Sequence, residues 1–154
     1  MRIFADTGEL ATAVGETLGP GPWERIDQHR VDLFADATDD HQWIHLDAER
    51  AATGPFGGTI AHGYLTLSLL PALVGRLYRV DGVRMGVNYG LNRVRFPAPL
   101  RVGSAVRATA AIAEVAPVAG GVQLVTSVTV HSDAGGKPVC VAESVSRLYV
   151  GAPR

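Results

Sequence analysis

The architecture is predicted from one long apolar segment: Thr59-Ile60-Ala61-His62-Gly63-Tyr64-Leu65-Thr66-Leu67-Ser68-Leu69-Leu70-Pro71-Ala72-Leu73-Val74-Gly75-Arg76-Leu77-Tyr78. Wound into a helix, this stretch has apolar side chains on nearly every face, and a helix that is apolar all round is a buried one. Pro71 removes one main-chain amide, so it either kinks the helix or marks a junction between two helices, and we favour the kink. The sequence therefore predicts a long buried helix over 59–78.

The residues after this helix alternate between apolar and polar types, which is typical of strands. We predict strands over 83–96, 100–112, 122–130 and 139–150, with a fifth strand over 23–26. The apolar phase slips by one residue between Leu91 and Val94, which predicts a β-bulge near Asn92. Turn-forming residues at 120–121 and 133–136 join successive strands, so the sheet is antiparallel. The fold class is therefore α+β, with an antiparallel five-stranded sheet wrapped around a long central helix.

Two short helices are predicted before the central one. Val31, Phe34 and Thr38 lie at helical spacing after Asp27, whose carboxylate can accept from the amides of a first turn, and this predicts a helix over 28–37. Asp47 similarly predicts a helix over 48–52. Glycine and proline residues then make 53–58 a loop.

The composition limits the classes of partner. The fourteen basic residues are scattered and the net charge is −1, so the basic patch that binds a phosphate backbone is missing and we predict no nucleic-acid partner. The apolar stretch 60–78 contains His62, Pro71 and Arg76, which make it a poor membrane span. The first residues lack the basic and apolar regions of a signal peptide. We expect a cytoplasmic protein that contacts no membrane.

The length and residue usage suggest one self-associating unit. The 154 residues suit a single domain, predicted over 1–154. Hydrophobic residues make up 47% and charged residues 19%, against about 25% charged residues in a typical domain. The weakly charged surface that remains predicts self-association. Cys140 is the single cysteine, so it forms no intramolecular disulfide, and its valine neighbours predict a buried strand residue.

The densest group of ionisable residues is Thr38-Asp39-Asp40-His41-Gln42-Trp43-Ile44-His45. An aspartate and a histidine five residues apart across a non-helical turn can face one small molecule, and apolar neighbours move their pKa values toward neutrality. Asp40 and His45 are therefore a candidate proton-transfer pair. The alternative is that Asp39 and Asp40 only end a helix and lie in a solvated turn.

A resemblance to a known family rests on this string and on three neighbouring ones, Phe34-Ala35-Asp36-Ala37, Gly54-Pro55-Phe56-Gly57 and Ile60-Ala61-His62-Gly63. The chain resembles the MaoC-like hydratase/dehydratase family, and within it the single-domain bacterial branch that includes the nodulation protein N type. The resemblance implies the hot-dog fold, with Asp40 and His45 as the catalytic residues. It also implies a homodimer whose sheet continues across the two subunits.

Three positions of the family motif Gly-Asp-x-Asn-Pro-aliphatic-His differ in this chain. This chain has Asp39 in place of the glycine, Gln42 in place of the asparagine and Trp43 in place of the proline. Gln42 can make the same amide hydrogen bonds with a longer reach, so we predict that it contacts the substrate. Trp43 is expected to shape or narrow the substrate tunnel.

His62 and Gly63 open the predicted central helix, where unpaired amides favour developing negative charge. The resemblance implies that the Gly63 amide polarises a thioester carbonyl and forms the oxyanion hole. Glycine allows an oxygen to approach the main chain closely, although packing between helix and sheet could require the same residue. We interpret His62 as a core histidine and assign it no catalytic role.

Asn88 and Asn92 lie in a segment that resembles the strand passing the active site in the family. We predict that they hydrogen-bond the substrate thioester or the Asp/His segment, the alternative being that they satisfy a bulge. The arginines of this region could contact the phosphates of coenzyme A or be ordinary surface residues: Arg93, Arg95 and Arg101.

A metal site is a further reading of the histidines. His41 and His45, with Asp40 nearby, have the spacing of two ligands on a helix. No third ligand is obvious and the HExxH context is missing. We therefore predict no metal and no cofactor, since coenzyme A is part of the substrate.

The predicted function is that of an (R)-specific enoyl-CoA hydratase, which reversibly adds water to a trans-2-enoyl thioester. Asp40 and His45 would hold and deprotonate the water, and Gly63 would bind the enolate oxygen. Three alternatives stay open: a 3-hydroxyacyl-carrier-protein dehydratase, a hot-dog acyl-CoA thioesterase, and a silent subunit that pairs with a separate hydratase. The substrate is accordingly an acyl-CoA or an acyl-carrier-protein thioester.

Overall fold

The structure, a computed structural model, describes residues 1–151. Fourteen elements follow one another along these residues: β1 (Arg2–Phe4), α1 (Thr7–Thr12), β2 (Thr17–Leu18), β3 (Glu24–Arg25), α2 (Gln28–Thr38), α3 (Trp43–Leu46), α4 (Ala48–Ala52), α5 (Gly63–Ser68), α6 (Leu70–Val74), β4 (Tyr78–Val80), β5 (Val83–Arg95), β6 (Ala105–Val118), β7 (Gly121–Ser132) and β8 (Cys140–Val150).

The main sheet confirms the predicted antiparallel arrangement. Its order is β2-β6-β7-β8-β5, and β3 also pairs with β6. β2 pairs with Ala110 and Ala111 of β6, whereas β3 pairs with Ala105 and Val106. The fifth position of the sheet is therefore shared by two short strands, of which β3 was predicted and β2 was not. A separate parallel pair, β1 with β4, was also not predicted.

The strand predicted over 100–112 begins later than expected. β6 starts at Ala105 and continues to Val118, and the preceding residues pair elsewhere. The amide of Ala61 donates to the Leu100 carbonyl at 2.8 Å, and the amide of Val102 donates to the Thr59 carbonyl at 3.0 Å. Residues 100–102 therefore pair with the chain that enters the central helix.

Bulges bend β5 along its length. The register between β5 and β8 shifts between Leu91 and Arg93, which confirms the bulge predicted at Asn92. Two further shifts, between Val83 and Met85 and between Asn88 and Gly90, were not predicted. Extra residues on one strand increase its twist and curvature, so these bulges help to curl the sheet around the helices.

The central helix is shorter than predicted and is divided. It begins at Gly63, ends at Val74, and consists of α5 and α6 with Leu69 between them. The kink that we favoured is wrong, because Pro71 lies in the first turn of α6, where its missing amide leaves no hydrogen bond unmade.

The burial predicted for this helix is also only partly right. Leu65, Leu70 and Leu73 are buried against the sheet, but Tyr64 is 69% exposed. One face of α5 and α6 is therefore open in the single chain. Among the helices of residues 1–151, none is long and apolar enough to cross a membrane.

The short helices at the beginning of the chain match their predicted caps. The Asp27 carboxylate accepts from the Arg30 amide at 2.9 Å at the start of α2, and the Asp47 carboxylate accepts from the Arg50 amide at 2.9 Å at the start of α4. The core is formed where these elements meet the concave face of the sheet, and its largest wholly buried side chains are Phe4, Leu10, Ile26, Val31, Ile112 and Leu124. Cys140 is buried in β8, as predicted.

Candidate active site

The end of α2 places Asp40. Asp39 follows the helix in the left-handed conformation, with φ 59° and ψ 19°, and it is the only non-glycine residue of positive φ among residues 1–151. A residue in this conformation stops a helix, and glycine adopts it without a steric penalty. This explains why the family motif has glycine at the position of Asp39. Asp40 then leaves the helix axis with an exposed side chain.

Gln42 sets the spacing between the two candidate catalytic residues. Its amide approaches the Asp40 carboxylate at 3.4 Å, and its carbonyl accepts from the His45 amide at 3.0 Å, which closes the single turn of α3. The turn between Asp40 and His45 is therefore partly helical, not wholly non-helical as predicted. Contact between the Gln42 side chain and a substrate stays a prediction.

His45 is held in one tautomer by the segment before α5. Its side chain is only 6% exposed, and its Nδ1 lies 2.7 Å from the Ile60 carbonyl oxygen. A carbonyl can only accept, so Nδ1 carries the proton and Nε2 presents a lone pair. The Ile60 amide in turn donates to the Ile44 carbonyl at 3.0 Å. One residue of the entering chain, Ile60, thus holds both α3 and the ring that α3 carries.

The environment of His45 favours a neutral ring. Burial lowers the pKa of His45 below its ordinary value, and this effect outweighs the Ile60 hydrogen bond, which favours the charged form. The nearby His62 lowers the pKa further, and the charge of Asp40 acts in the opposite direction. A neutral imidazole with a free Nε2 is a proton acceptor at neutral pH.

The structure brings the predicted pair together and adds a third side chain. One polar atom each of Asp40, His45 and His62 lie within 4.8 Å of one another. No third ligand was predicted from the sequence, and His62 occupies such a position. However, the His45 and His62 rings are stacked with centroids 3.7 Å apart and planes inclined at 24°. The ring nitrogens of two stacked imidazoles point in nearly parallel planes and do not converge on one point. Asp40, His45 and His62 are therefore poorly arranged to bind a metal ion.

His41 does not belong to this cluster. Its Nε2 lies 3.0 Å from the Asp36 carboxylate on the exposed side of α2, and this contact raises the pKa of His41. The ligand pair formed by His41 and His45 is therefore not assembled.

Gly63 begins α5 beside this cluster, and its neighbour explains why it lacks a side chain. A Cβ placed on Gly63 would lie 2.9 Å from the Phe96 ring, closer than the contacts that real side chains make. Packing clearance is thus a sufficient reason for the glycine. Its amide nonetheless stands in the first turn of a helix, where amides have no partner within the helix.

A cavity of about 380 Å³ joins His45 to Gly63. Its remaining walls are mostly apolar and include Ile44, Phe56, Ile60, Thr66, Phe96 and Leu100. Such a space, with one base and one free amide at its wall, suits an apolar ligand that carries a single polar reacting group.

Two predicted substrate contacts lie elsewhere in the single chain. Asn88 lines a separate cavity beside Leu70 and Pro71 of α6. The Asn92 amide approaches the Glu143 carboxylate at 3.5 Å, at the bulge. Within one chain, neither asparagine is brought to Asp40 and His45.

Trp43 and Arg101 shape the loop at 53–58. The Trp43 ring lies 3.2 Å from where a Cβ on Gly54 would stand, and the Arg50 guanidinium covers it at 4.2 Å. Trp43 is not among the described residues that line the cavity beside His45, and the expectation that it shapes or narrows the substrate tunnel stays a prediction. Arg101 donates to the Phe56 carbonyl at 2.9 Å and so helps to hold this loop, while a contact of Arg101 with the phosphates of coenzyme A stays an open alternative.

Gln28 supports His45 and was missed by the sequence analysis. Its Nε2 donates to the His45 carbonyl at 2.8 Å, and its Oε1 accepts from the Thr59 hydroxyl at 2.8 Å. It therefore joins α3 to the segment whose Ile60 carbonyl orients the His45 ring. The sequence around Gln28 does not reveal this role, because both of its hydrogen-bond partners are distant in sequence.

Comparisons with known proteins identify the family. Residues 9–134 match the family model described as a MaoC-like domain. The chain is 55% identical over 148 residues to 3-hydroxyacyl-thioester dehydratase Z of Mycobacterium tuberculosis, covering 96% of this chain and 98% of that protein. The chain belongs to the MaoC-like dehydratase family.

Two further MaoC-like relatives agree with this assignment. Nodulation protein N of Rhizobium leguminosarum bv. viciae is 44% identical over 142 residues, covering 90% of this chain and 88% of that protein. An unliganded R-hydratase from Pseudomonas aeruginosa superposes with a TM-score of 0.69 at 27% identity, covering 90% of this chain and 83% of that chain. The antiparallel sheet curled around α5 and α6 is the hot-dog fold of these MaoC-like proteins, and the chain is a hydro-lyase.

Proposed function

We propose that this MaoC-like protein is an (R)-specific enoyl-CoA hydratase that reversibly adds water to a trans-2-enoyl thioester. One observation carries the proposal: a buried His45 whose Nε2 keeps a free lone pair has a ring nitrogen within 4.8 Å of the Asp40 carboxylate and lines a cavity together with Gly63. The R-hydratase similarity and the name of the mycobacterial dehydratase support the same class of chemistry, since hydration and dehydration are one reaction in two directions.

The proposed first step uses Asp40 and His45 to hold a water molecule. His45 Nε2 and the Asp40 carboxylate are both acceptors, so each can take one hydrogen bond from the same water. As the water oxygen bonds to Cβ of the enoyl group, one of the pair removes its proton. The electron pair of the carbon–carbon double bond moves to the thioester oxygen and forms an enolate.

The second step returns the proton. The Gly63 amide donates to the enolate oxygen, which stabilises the charge that develops there. The enolate then collapses, and Cα takes the proton from the Asp40 and His45 pair on the same face that the water attacked. The product is the (R)-3-hydroxyacyl thioester, and both residues regain their starting protonation.

A spectrophotometric assay with crotonyl-CoA tests the proposal. We expect the purified chain alone to remove the enoyl absorbance without releasing free thiol, and chiral chromatography of the product to give the R isomer. Thiol release without hydration would show a thioesterase instead. No turnover of enoyl thioesters or 3-hydroxyacyl thioesters of any chain length would show a silent subunit.

The carrier is the remaining choice. The name of the mycobacterial relative specifies a thioester without a carrier, and the same residues catalyse dehydration of an acyl-carrier-protein substrate. Matched enoyl-CoA and enoyl-carrier-protein substrates of one chain length separate these functions. We expect a higher kcat/KM with the CoA ester, and the opposite ratio would favour the dehydratase of fatty-acid or polyketide synthesis.

A homodimer is part of the proposal. β5 is the edge of the main sheet, and its side chains Met85, Val87, Tyr89 and Leu91 are between 38% and 57% exposed. Pairing of two β5 edges would cover this apolar surface and continue the sheet. Asn88 and Asn92 lie on the same strand, so contact with a substrate would require the second subunit. We expect a dimer in sedimentation equilibrium and a monomer for a Tyr89→Arg variant.

A further inference from the structure

His62 is buried between the two candidate catalytic residues. Its side chain is 2% exposed, and its Nε2 lies 2.9 Å from the main-chain carbonyl oxygen of Asp40, 22 residues away in sequence. Because a carbonyl only accepts, the proton is on Nε2. The other ring nitrogen, Nδ1, is the one buried side-chain nitrogen or oxygen without a hydrogen-bond partner among residues 1–151.

The ring of His62 is packed on two sides. It stacks on the His45 ring with a centroid distance of 3.7 Å. The Phe34 ring of α2 lies against it with a centroid distance of 5.0 Å. These contacts leave the ring little freedom to turn. The stacked His45 ring therefore limits how far the N–H that points to Asp40 can turn.

The main chain of His62 begins α5. Its carbonyl accepts from the amides of Leu65 and Thr66 at 3.0 and 3.2 Å, and the next residue is Gly63. One residue consequently connects the Asp40 main chain, the His45 ring and the free amide of α5. A shift of any one of these parts would change its distance to the other two.

We propose that His62 is a positioning residue that holds Asp40 at its working distance from His45 and from the α5 amide. The proposal rests on the hydration function above. His62 acts through the main chain of Asp40 and does not itself move a proton. The exposed Asp40 carboxylate is restrained only by a long contact with the Gln42 amide, at 3.4 Å. The shorter hydrogen bond from His62 to the Asp40 main-chain carbonyl, at 2.9 Å, therefore connects Asp40 most firmly to the start of α5.

Three variants separate this role from simple packing. His62→Phe keeps a ring of similar size that can stack on His45 but removes the N–H. His62→Gln restores an N–H donor at about the reach of Nε2 without a ring. Phe34→Leu is the matched control, since it alters the packing around His62 and leaves its hydrogen bond in place.

We expect His62→Phe to lower kcat for crotonyl-CoA hydration by about 10- to 100-fold with little change in KM, because misplacement by about 1 Å costs a rate factor of this order. His62→Gln should recover most of kcat, and Phe34→Leu should stay within about threefold of the parent protein. A loss in His62→Gln as large as that in His62→Phe would show that an N–H donor at this position does not restore activity, and would overturn the proposal. An unchanged kcat in His62→Phe would also overturn it.

Hydrogen exchange measured by mass spectrometry tests the tether without any substrate. In His62→Phe the amides of residues 39–46 should exchange faster than in the parent protein, and in His62→Gln they should be protected again. Unchanged exchange in both variants would contradict the proposal. If the parent protein hydrated no enoyl thioester but showed this exchange pattern, the proposed function would fail while the tether between His62 and Asp40 would stand.

Discussion

The Nδ1–H of His45 donates to the Ile60 carbonyl at 2.7 Å, and this single bond decides which nitrogen of the ring keeps a free lone pair. Because Nδ1 is committed to the main chain, the lone pair on Nε2 is left for a proton. Burial lowers the pKa of the same ring, so both the tautomer and the charge state of His45 suit a base.

The pH profile of hydration should follow His45. Its active form is neutral and its pKa is lowered, so kcat/KM should fall on acidification with a midpoint below the ordinary histidine value of about 6.5. Initial rates with crotonyl-CoA between neutral and acid pH measure this midpoint. A midpoint above the ordinary value would show that the Asp40 charge outweighs the burial of His45.

Stability should depend on the same group. Below the ordinary histidine pKa of about 6.5 the unfolded chain takes up a proton that the folded His45 resists, so the stability present above this pH is lost as pH falls toward the folded pKa. Urea unfolding at a series of pH values measures the slope. A His45→Gln variant should show a shallower slope, and identical slopes would remove His45 as the source.

The left-handed conformation of Asp39 predicts that two substitutions at this position change the stability in opposite directions. Asp39→Gly should raise the free energy of unfolding by up to about 1 kcal/mol, because glycine adopts φ 59° without a steric penalty. Asp39→Val should lower it by about 1–2 kcal/mol, since a β-branched residue is strained there. The urea denaturation midpoints of the two variants test whether residue 39 is left-handed. A valine variant more stable than the parent protein would refute this conformation.

Gly63 and Phe96 should be energetically coupled. Gly63→Ala places a Cβ 2.9 Å from the Phe96 ring, and we expect a loss of about 1–3 kcal/mol in stability from this overpacking. Phe96→Leu should relieve part of the loss in the double variant, which a double-mutant cycle measures. Alanine at position 63 keeps the main-chain amide, so the double variant should regain hydration activity together with stability. A Gly63→Ala protein as stable as the parent would show that no clearance is needed.

Removal of Gln28 should loosen His45 without touching the cavity. Gln28→Ala loses the bonds to the His45 carbonyl and from the Thr59 hydroxyl, which should cost about 1–3 kcal/mol and lower kcat. Gln28→Glu keeps an acceptor for Thr59 but no donor, so it should also lose kcat. Asp32→Ala is the control, because it removes only the exposed contact of Gln28 with Asp32 and should change stability by less than about 0.5 kcal/mol.

Features that depend on neighbouring residues were predictable from the sequence. The caps at Asp27 and Asp47, the short helix at 48–52 and the bulge at Asn92 all follow from contacts or patterns within a few residues. Asp40 and His45 were found because their spacing matches a family motif.

Features that depend on distant parts of the chain were not predictable. The central helix starts late because residues 59–61 pair with residues 100–102, a choice that hydrophobic periodicity does not record. His62 reaches Asp40 across 22 residues and Gln28 reaches His45 across 17, so neither stands out in the sequence as part of the site.

Comparison of Asp40→Asn, His45→Gln and the double variant in the hydration of crotonyl-CoA is the most direct test of whether Asp40 and His45 share one water. We expect each single variant to lose at least about 10²-fold in kcat/KM, and the double variant to be hardly slower than the worse single variant, because residues that act as a unit are strongly non-additive. Full hydration activity in Asp40→Asn, or losses that multiply in the double variant, would contradict a shared water.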